Sequence, residues 1–310
     1  MTPDTDAAVG RSWRSQRPVA LGAITATFRR GSGDPTFRRA PDGAVVRAVR
    51  TPAGPASLEL RVAAPDATVE ARAWGQGAQW ALEHVPDLLG GADDDEGFVA
   101  HHPLVAEAAR RFCGWRVPRS GLVLDALVPA IIEQKVTGQE AFAGYRRLVG
   151  RFGDPAPGPY AALGLRLPPT AAGWAAIPSW EFLQASVDSA RSTALVRAAR
   201  AAGRLEQGVD LTPARARLRM QAVPGVGVWT SAEVAQRALG DADAVSYGDY
   251  HVARNIGWAL TGQEVDDDGL AELLEPYAGH RYRVQRLLEL AGARRPRHGA
   301  RMAPRTHLPR

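Results

Sequence analysis

Residues 220–256 constrain the fold of this chain more than any other stretch. They contain a short segment, Val-Pro-Gly-Val-Gly, between two sequences that favour helix. Pro224 ends the first helix because it lacks a backbone N–H and clashes with the preceding turn. Gly225 and Gly227 permit a sharp reversal with positive φ that exposes backbone N–H groups. The pattern predicts a hairpin between two helices, which cover 212–222 and 229–239.

The second of these helices begins directly after the hairpin. Its first N–H groups have no partner within the helix, and together with the helix dipole they attract a phosphate. Such a contact reads no base and would be independent of sequence. A plain connector between two helices is the alternative interpretation of the same Gly/Pro pattern. The residues predicted to contact a DNA backbone are Pro224, Gly225, Val226, Gly227, Val228 and Thr230.

Residues 220–256 resemble the helix–hairpin–helix DNA glycosylase superfamily, and within it the bacterial 3-methyladenine DNA glycosylase II branch. The matching elements are the hairpin, Trp229-Thr230 at the start of the next helix, and Asp249-Tyr250 at the start of the helix after that. The resemblance implies that the hairpin amides bind phosphates and that Asp249 is the essential aspartate. It also implies a monovalent cation held by backbone carbonyls, which map to Gln221, Val223 and Val226.

A single carboxylate suits the implied chemistry. Cleavage of an N-glycosidic bond develops positive charge near the sugar C1′, and a fixed carboxylate in a water-poor pocket stabilises that charge. The same group can orient or deprotonate the attacking water. Glycoside hydrolases use carboxylates for a similar transition state. We therefore expect Asp249 to be catalytic; the alternative is that it only caps its helix.

The resemblance also separates two mechanisms. Relatives that cleave the DNA strand use a lysine in the second helix of the hairpin, and Trp229, which is not a nucleophile, occupies that position here. The prediction is a monofunctional enzyme that leaves an abasic site. Two alternatives stay open: a non-catalytic DNA-binding protein, and a glycosylase/lyase that uses Lys135. Cys113 is the only cysteine, so the four-cysteine iron–sulfur cluster of some relatives cannot form.

A second matching segment lies at 132–137, where the resemblance implies the start of a helix lining the DNA cleft. Gln134 and Lys135 are predicted to probe and fill the space that a flipped base leaves, which offsets part of the cost of unstacking. Lys135 stands where this branch typically has a leucine, and it is the only lysine in the chain. The alternative is that Lys135 is an ordinary exposed residue.

The predicted base pocket departs from the branch. Trp229 offers an aromatic face, although large aromatic residues are usually core residues. Glu233 and Glu289 stand where aromatic residues are usual, which indicates either a different pocket or a cationic base such as an N-alkylated purine. Tyr247 is placed at the pocket mouth by its proximity in the sequence.

The hydropathy pattern predicts an α+β fold that is mostly α. An antiparallel β-sheet domain with one helix, at 77–89, precedes an all-helical domain that contains the helix–hairpin–helix motif. Alternating residues at 58–62 and 69–73 predict two strands. A helical pattern is expected over 122–149, a loop over 153–169, and a solvated linker at the acidic run 93–96. The expected organisation is a disordered 1–16, a sheet domain over 17–96, a glycosylase domain over 97–291 and a disordered basic tail over 292–310.

The charge of the chain does not by itself predict a DNA-binding protein. The formal net charge is +5, but residues 292–310 contain six arginines and no acid, so the remainder is close to neutral. No signal peptide and no membrane-spanning pattern is visible. We therefore expect a cytoplasmic, nucleoid-associated monomer that acts on double-stranded DNA in base excision repair.

Overall fold

The fold of the protein is an antiparallel sheet followed by a chain of helices, as predicted, in a computed structural model that describes residues 7–63 and 67–296. The main sheet has five strands in the order β1-β5-β4-β3-β2. A second, two-stranded sheet lies in the predicted loop over 153–169. The strands are β1 (Val9–Arg14), β2 (Phe37–Arg39), β3 (Val45–Thr51), β4 (Gly54–Ala63), β5 (Thr68–Trp74), β6 (Asp154–Pro155) and β7 (Arg166–Leu167).

The central strands were the most predictable part of the sheet. Leu58 and Leu60 of β4 face Ala73 and Ala71 of β5 across the antiparallel register. All four side chains are buried in one hydrophobic cluster. Side chains that alternate between two faces produce the period-two pattern in the sequence, although in β4 Ser57 and Glu59 on the other face are buried as well.

The edge of the sheet corrects two predictions. Strand β1 lies within 1–16, which was predicted to be disordered, and it pairs with β5 along its length. Its residues are almost all exposed, so they carry no alternating hydrophobic signal. The chain then forms a short helix, α1 (Leu21–Thr25), where strands were expected. Residues 1–6 and the tail from 297 lie outside the described residues.

Fourteen further α-helices of the described chain follow α1. They are α2 (Ala78–Glu83), α3 (Val85–Leu88), α4 (Pro103–Arg111), α5 (Val123–Ile132), α6 (Gly138–Phe152), α7 (Ala171–Ala176), α8 (Ser179–Gln184), α9 (Ser189–Arg200), α10 (Ala202–Glu206), α11 (Pro213–Gln221), α12 (Val228–Val234), α13 (Val252–Thr261), α14 (Asp267–Leu274) and α15 (Arg281–Leu290).

The helical pattern over 122–149 corresponds to two helices. Helix α5 ends at Ile132, and α6 begins at Gly138 after a turn. Thr137 caps α6 with a capping box: its hydroxyl accepts the N–H of Glu140, and the Glu140 carboxylate accepts the N–H of Thr137. This cap fixes a helix start. The segment 132–137 therefore forms a turn between two helices rather than the start of one.

Hydrophobic clusters connect the parts of the chain in space. One cluster holds the helical core from α5 to α12. Another lies under the sheet and includes Trp115, Tyr282 and Leu287, so the last helix packs against the first domain. The opposite face of the sheet is covered by residues of 156–167. A further cluster joins α4 with α13, α14 and α15.

The acidic run 93–96 was expected to be a solvated linker, and Asp93 is the exception: Asp94 and Glu96 are exposed, whereas the Asp93 carboxylate is buried. The Asp93 carboxylate accepts hydrogen bonds from Arg283 Nη1 at 2.9 Å and Nη2 at 2.8 Å, and both side chains are at most 5% exposed. The N–H of Val117 donates to the same carboxylate. Composition alone could not reveal this, because the partner lies on α15, far along the chain.

No helix among the described residues has the length and apolar character needed to cross a membrane.

We predict that Asp93→Asn lowers the free energy of unfolding by about 3–5 kcal/mol, because it leaves the buried Arg283 guanidinium without a counter-charge. Urea denaturation measures this change. Asp95→Asn is the matched control: its pair with Arg17 is exposed, so a loss below about 1 kcal/mol is expected. Equal effects of the two substitutions would contradict the structural role of Asp93.

Candidate functional site

The predicted hairpin is present between α11 and α12. Val223 and Val226 are buried and anchor the turn, and the N–H of Val226 donates to the carbonyl of Val223 at 2.9 Å. Pro224, Gly225, Gly227 and Val228 are exposed. The turn therefore presents its backbone to solvent while its two valines hold it to the core.

Gly225 is required at its position for two reasons. Its φ is +99°, a region that favours glycine. A Cβ placed there would lie 2.5 Å from Cβ of Ala194 on α9. Gly227 differs, because a Cβ at that position would meet open space. Of the two hairpin glycines, only Gly225 lies so close to α9 that a side chain would clash.

The start of α12 is open to an anion. Within the described residues, no side chain caps this helix end, and the first helical bond runs from the N–H of Ser231 to the carbonyl of Gly227. Uncapped N–H groups at an exposed helix start favour a negatively charged partner. Thr230 is the exception among the predicted contact residues, since it is only 2% exposed and its hydroxyl accepts a hydrogen bond from Gln134.

Asp249 lies beside this helix and is half-buried. Its Oδ2 accepts the indole N–H of Trp229 at 3.2 Å. Its Oδ1 accepts the N–H groups of His251 at 2.7 Å and Val252 at 3.1 Å, which caps α13. The two interpretations of Asp249 are therefore compatible: the side chain caps a helix and is also tied to the hairpin helix. Among the described residues it forms no ion pair with an arginine, lysine or histidine.

Glu233 lies one turn after Trp229 on the same helix, and its carboxylate is fully engaged. Ser246 Oγ donates to Oε1 at 2.6 Å, and Arg237 Nη1 donates to Oε2 at 2.7 Å. Burial lowers the pKa of Arg237, but the charges of Glu233 and Glu133 together with the hydrogen bond to Glu233 outweigh it, so the pKa of Arg237 is raised. Glu233 thus forms part of a charge-compensated wall, with 12% of its side chain exposed.

A chain of hydrogen bonds continues from Glu233 to Glu289. The amide of Gln285 donates to Ser246 Oγ at 3.2 Å and to Glu289 Oε1 at 3.0 Å. Arg286 Nη1 donates to Glu289 Oε2 at 2.9 Å. The two acids predicted in the pocket are therefore linked through Ser246, and each already has a cationic partner.

Tyr247 is half-buried and packs on the cluster formed by α4, α13, α14 and α15. Burial raises the pKa of its hydroxyl. Within the part of the chain that the structure describes, no hydrogen bond joins Tyr247 to Trp229, Glu233 or Glu289, so its place at the pocket mouth stays a prediction.

Gln134 and Lys135 lie in the turn between α5 and α6. Gln134 Nε2 donates to the carbonyl of Gly225 at 2.9 Å and to Thr230 Oγ1 at 2.8 Å. Lys135 is exposed and has a φ of +54°, in the left-handed region. The second predicted segment therefore meets the hairpin directly.

Three residues that the sequence analysis did not identify complete the surroundings. Glu133 lies 3.1 Å from Arg30 Nε, with both side chains largely buried. Burial raises the pKa of Glu133, the charges of Arg30 and Arg237 lower it, and those of Glu233 and Asp249 raise it. The spacing of Glu233 and Arg237, four residues apart on a helix, was a usable signal for that pair. Arg30 comes from the sheet domain, and no local pattern connects it to Glu133.

The carbonyls of Gln221, Val223 and Val226 are the predicted ligands of a monovalent cation. They are neutral oxygens in and beside a tight turn, a donor type that suits such an ion. The carbonyl of Val223 accepts one N–H and retains a second lone pair. The described residues contain no group of three or more His, Cys, Asp or Glu side chains that could hold a metal ion.

The comparisons with known proteins agree on the fold. No family model matches the chain. It is 32% identical over 175 residues to the "Probable bifunctional transcriptional activator/DNA repair enzyme AlkA" of Mycobacterium tuberculosis, an alignment that covers 54% of this chain and 31% of that relative. The chain thus spans about a third of the curated relative that it matches.

Solved structures match over much more of the chain. The 3-methyladenine DNA glycosylase of Archaeoglobus fulgidus has a TM-score of 0.73 at 18% identity and covers 90% of this chain and 97% of its own. The 8-oxoguanine glycosylase/lyase of Clostridium acetobutylicum has a TM-score of 0.69 at 12% identity and covers 92% and 98%. The chain therefore has the fold of the helix–hairpin–helix DNA glycosylases, which confirms the resemblance at the level of architecture.

We predict that Gly225→Ala lowers the free energy of unfolding by at least about 1–3 kcal/mol, because it forces a strained φ and a contact with Ala194. Gly227→Ala, with a φ of −99° and open space around the new methyl group, serves as the paired control and should change stability by less than about 0.5 kcal/mol. Thermal and urea unfolding of both variants test the difference. Similar losses would contradict the close seating of the hairpin on α9.

Proposed function

We propose that this protein is a monofunctional DNA glycosylase that flips a damaged base out of duplex DNA and hydrolyses its N-glycosidic bond. The observation that carries the proposal is the position of Asp249. Its carboxylate is bonded to Trp229 in the first turn of the hairpin helix, is half-exposed, and forms no ion pair within the described chain. An acid is thus fixed next to an uncapped, phosphate-attracting helix start.

The hairpin supplies the grip on DNA. The N–H groups at the start of α12 bind a phosphate, and the exposed turn of Pro224 and Gly225 allows the backbone to approach closely. A monovalent cation held by the carbonyls of Gln221, Val223 and Val226 would add positive charge at the same phosphate. Because this binding contacts the DNA backbone and reads no base, DNA of any sequence is placed in the same register relative to Asp249.

Asp249 supplies the chemistry. As the bond between the base nitrogen and C1′ breaks, the electron pair leaves with the base and C1′ becomes positive. The carboxylate stabilises that charge, and it needs no reorganisation because three hydrogen bonds already fix it. Water then attacks C1′ and transfers a proton to the carboxylate or to solvent, which leaves an abasic site and a free base.

An alkylated base is the substrate that we propose. Trp229 offers a half-buried indole face beside Asp249 against which a flipped, electron-poor base can stack. Glu233 and Glu289 are compensated by Arg237 and Arg286, so they form a polar wall and provide little free charge to attract a cationic base. Two of the similar proteins carry names that refer to alkylation repair or 3-methyladenine, which supports this choice.

We predict that Asp249→Asn lowers the single-turnover rate of base release from methylated duplex by at least about 10²-fold, because a neutral amide stabilises the sugar cation poorly. The asparagine oxygen can still accept the N–H groups of His251 and Val252, although its NH2 group cannot accept the indole N–H of Trp229, so the rate is compared per folded protein, as measured by circular dichroism. Asp268→Asn, which removes the same charge from an exposed site, should retain full activity. Unchanged release by Asp249→Asn would refute the proposal.

A glycosylase/lyase that uses Lys135 is the second candidate, because Lys135 is exposed on the turn that contacts the hairpin. Borohydride reduction during turnover traps the Schiff base that such an enzyme would form. We expect no covalent protein–DNA adduct with damaged duplex. An adduct that disappears in Lys135→Ala would instead support the lyase.

A further inference from the structure

The turn of residues 133–135 is held from two sides. Toward the hairpin, Gln134 Nε2 donates to the carbonyl of Gly225 at 2.9 Å and to Thr230 Oγ1 at 2.8 Å. Toward the sheet domain, the carboxylate of Glu133 lies 3.1 Å from Arg30 Nε. Lys135 comes directly after Glu133 and Gln134, the two residues that make these contacts.

Lys135 has a backbone conformation that an ordinary L-residue rarely adopts, with φ at +54°. Such a conformation persists only where the surrounding structure fixes it. The two hydrogen bonds of Gln134, the preceding residue, provide that restraint. They leave the side chain of Lys135 exposed at the tip of the turn.

Both hydrogen bonds of Gln134 end on the segment that is proposed to bind phosphate. Gly225 lies in the turn of the hairpin, and Thr230 lies in the first turn of α12. An amide nitrogen has two hydrogens, and both are used here. Gln134 therefore cannot donate a hydrogen bond to a DNA base without releasing the hairpin.

We propose that Gln134 is a positioning residue that joins the phosphate-binding hairpin to Lys135, so that the two engage DNA as one preorganised unit. This inference rests on the proposed function of the site. When the hairpin binds a phosphate, the backbone at Lys135 is already fixed beside it, so only the lysine side chain remains to be ordered. Gln134 acts through Lys135 and does not itself enter the space left by the base.

Two duplexes test the assignment: one undamaged, and one that carries a tetrahydrofuran abasic-site analogue opposite 2-aminopurine. The affinity ratio of the two, measured on one protein preparation, is unaffected by any loss of folded protein. Gln134→Ala and Gln134→Glu should lose about tenfold more affinity for the abasic-site duplex than for the undamaged duplex. The change in 2-aminopurine fluorescence that the unmodified protein causes on binding should also be absent in both variants. Gln207→Ala, an exposed glutamine elsewhere, should match the unmodified protein.

A double-mutant cycle gives the decisive readout. If Gln134 acts through Lys135, Lys135→Ala alone should reduce the affinity ratio as much as Gln134→Ala, and the double variant should show no further loss. Additive losses, or an equal loss on both duplexes, would overturn the proposal. Base release from methylated DNA by the unmodified protein separately tests the proposed function, so failure of one is distinguishable from failure of the other.

Discussion

The hydrogen bond from the Trp229 indole to Asp249 is the interaction on which the proposed site depends. It joins the hairpin helix to the loop that precedes α13. The other carboxylate oxygen accepts two N–H groups at the start of α13, so the carboxylate is fixed by two different helices. A phosphate bound at the hairpin would then place its deoxyribose at a constant distance from the acid. The glycine at 225 is needed because only it permits the hairpin to sit this close to α9.

The charges around the carboxylate are balanced in pairs. Glu233 is matched by Arg237, and Glu133 is matched by Arg30. Asp249 has hydrogen-bond donors but no ion pair within the described residues. The local excess of negative charge therefore resides on Asp249, in surroundings where burial strengthens electrostatic interactions. Such an unpaired carboxylate is suited to stabilise a cationic sugar. An arginine paired with Asp249 would cancel this stabilisation.

Features with a local signal were the ones that the sequence could predict. The hairpin follows from Pro224 and two glycines, and β4 and β5 follow from alternating hydrophobic and polar residues. The helix start was placed at 132–137, whereas the capping box of Thr137 and Glu140 starts α6 at Gly138. The strand β1 was missed because its exposed residues have no alternation.

Contacts between distant segments could not be predicted at all. The pairs of Arg30 with Glu133 and of Asp93 with Arg283 each join residues far apart in the chain, and no local pattern connects the two members of either pair. The same holds for the bonds of Gln134 to the hairpin. Resemblance singled out the segments 132–137 and 220–256, and the fold shows which of their atoms meet.

The most direct test of the central claim compares two abasic-site analogues in otherwise identical duplexes. One has a cationic nitrogen in the sugar ring, and the other is the neutral tetrahydrofuran. If the carboxylate of Asp249 faces C1′, the protein should bind the cationic duplex roughly a hundredfold more tightly, as expected for a transition-state mimic. Asp249→Asn should abolish that preference. Equal affinities for the two duplexes, or a preference that survives the substitution, would contradict the account.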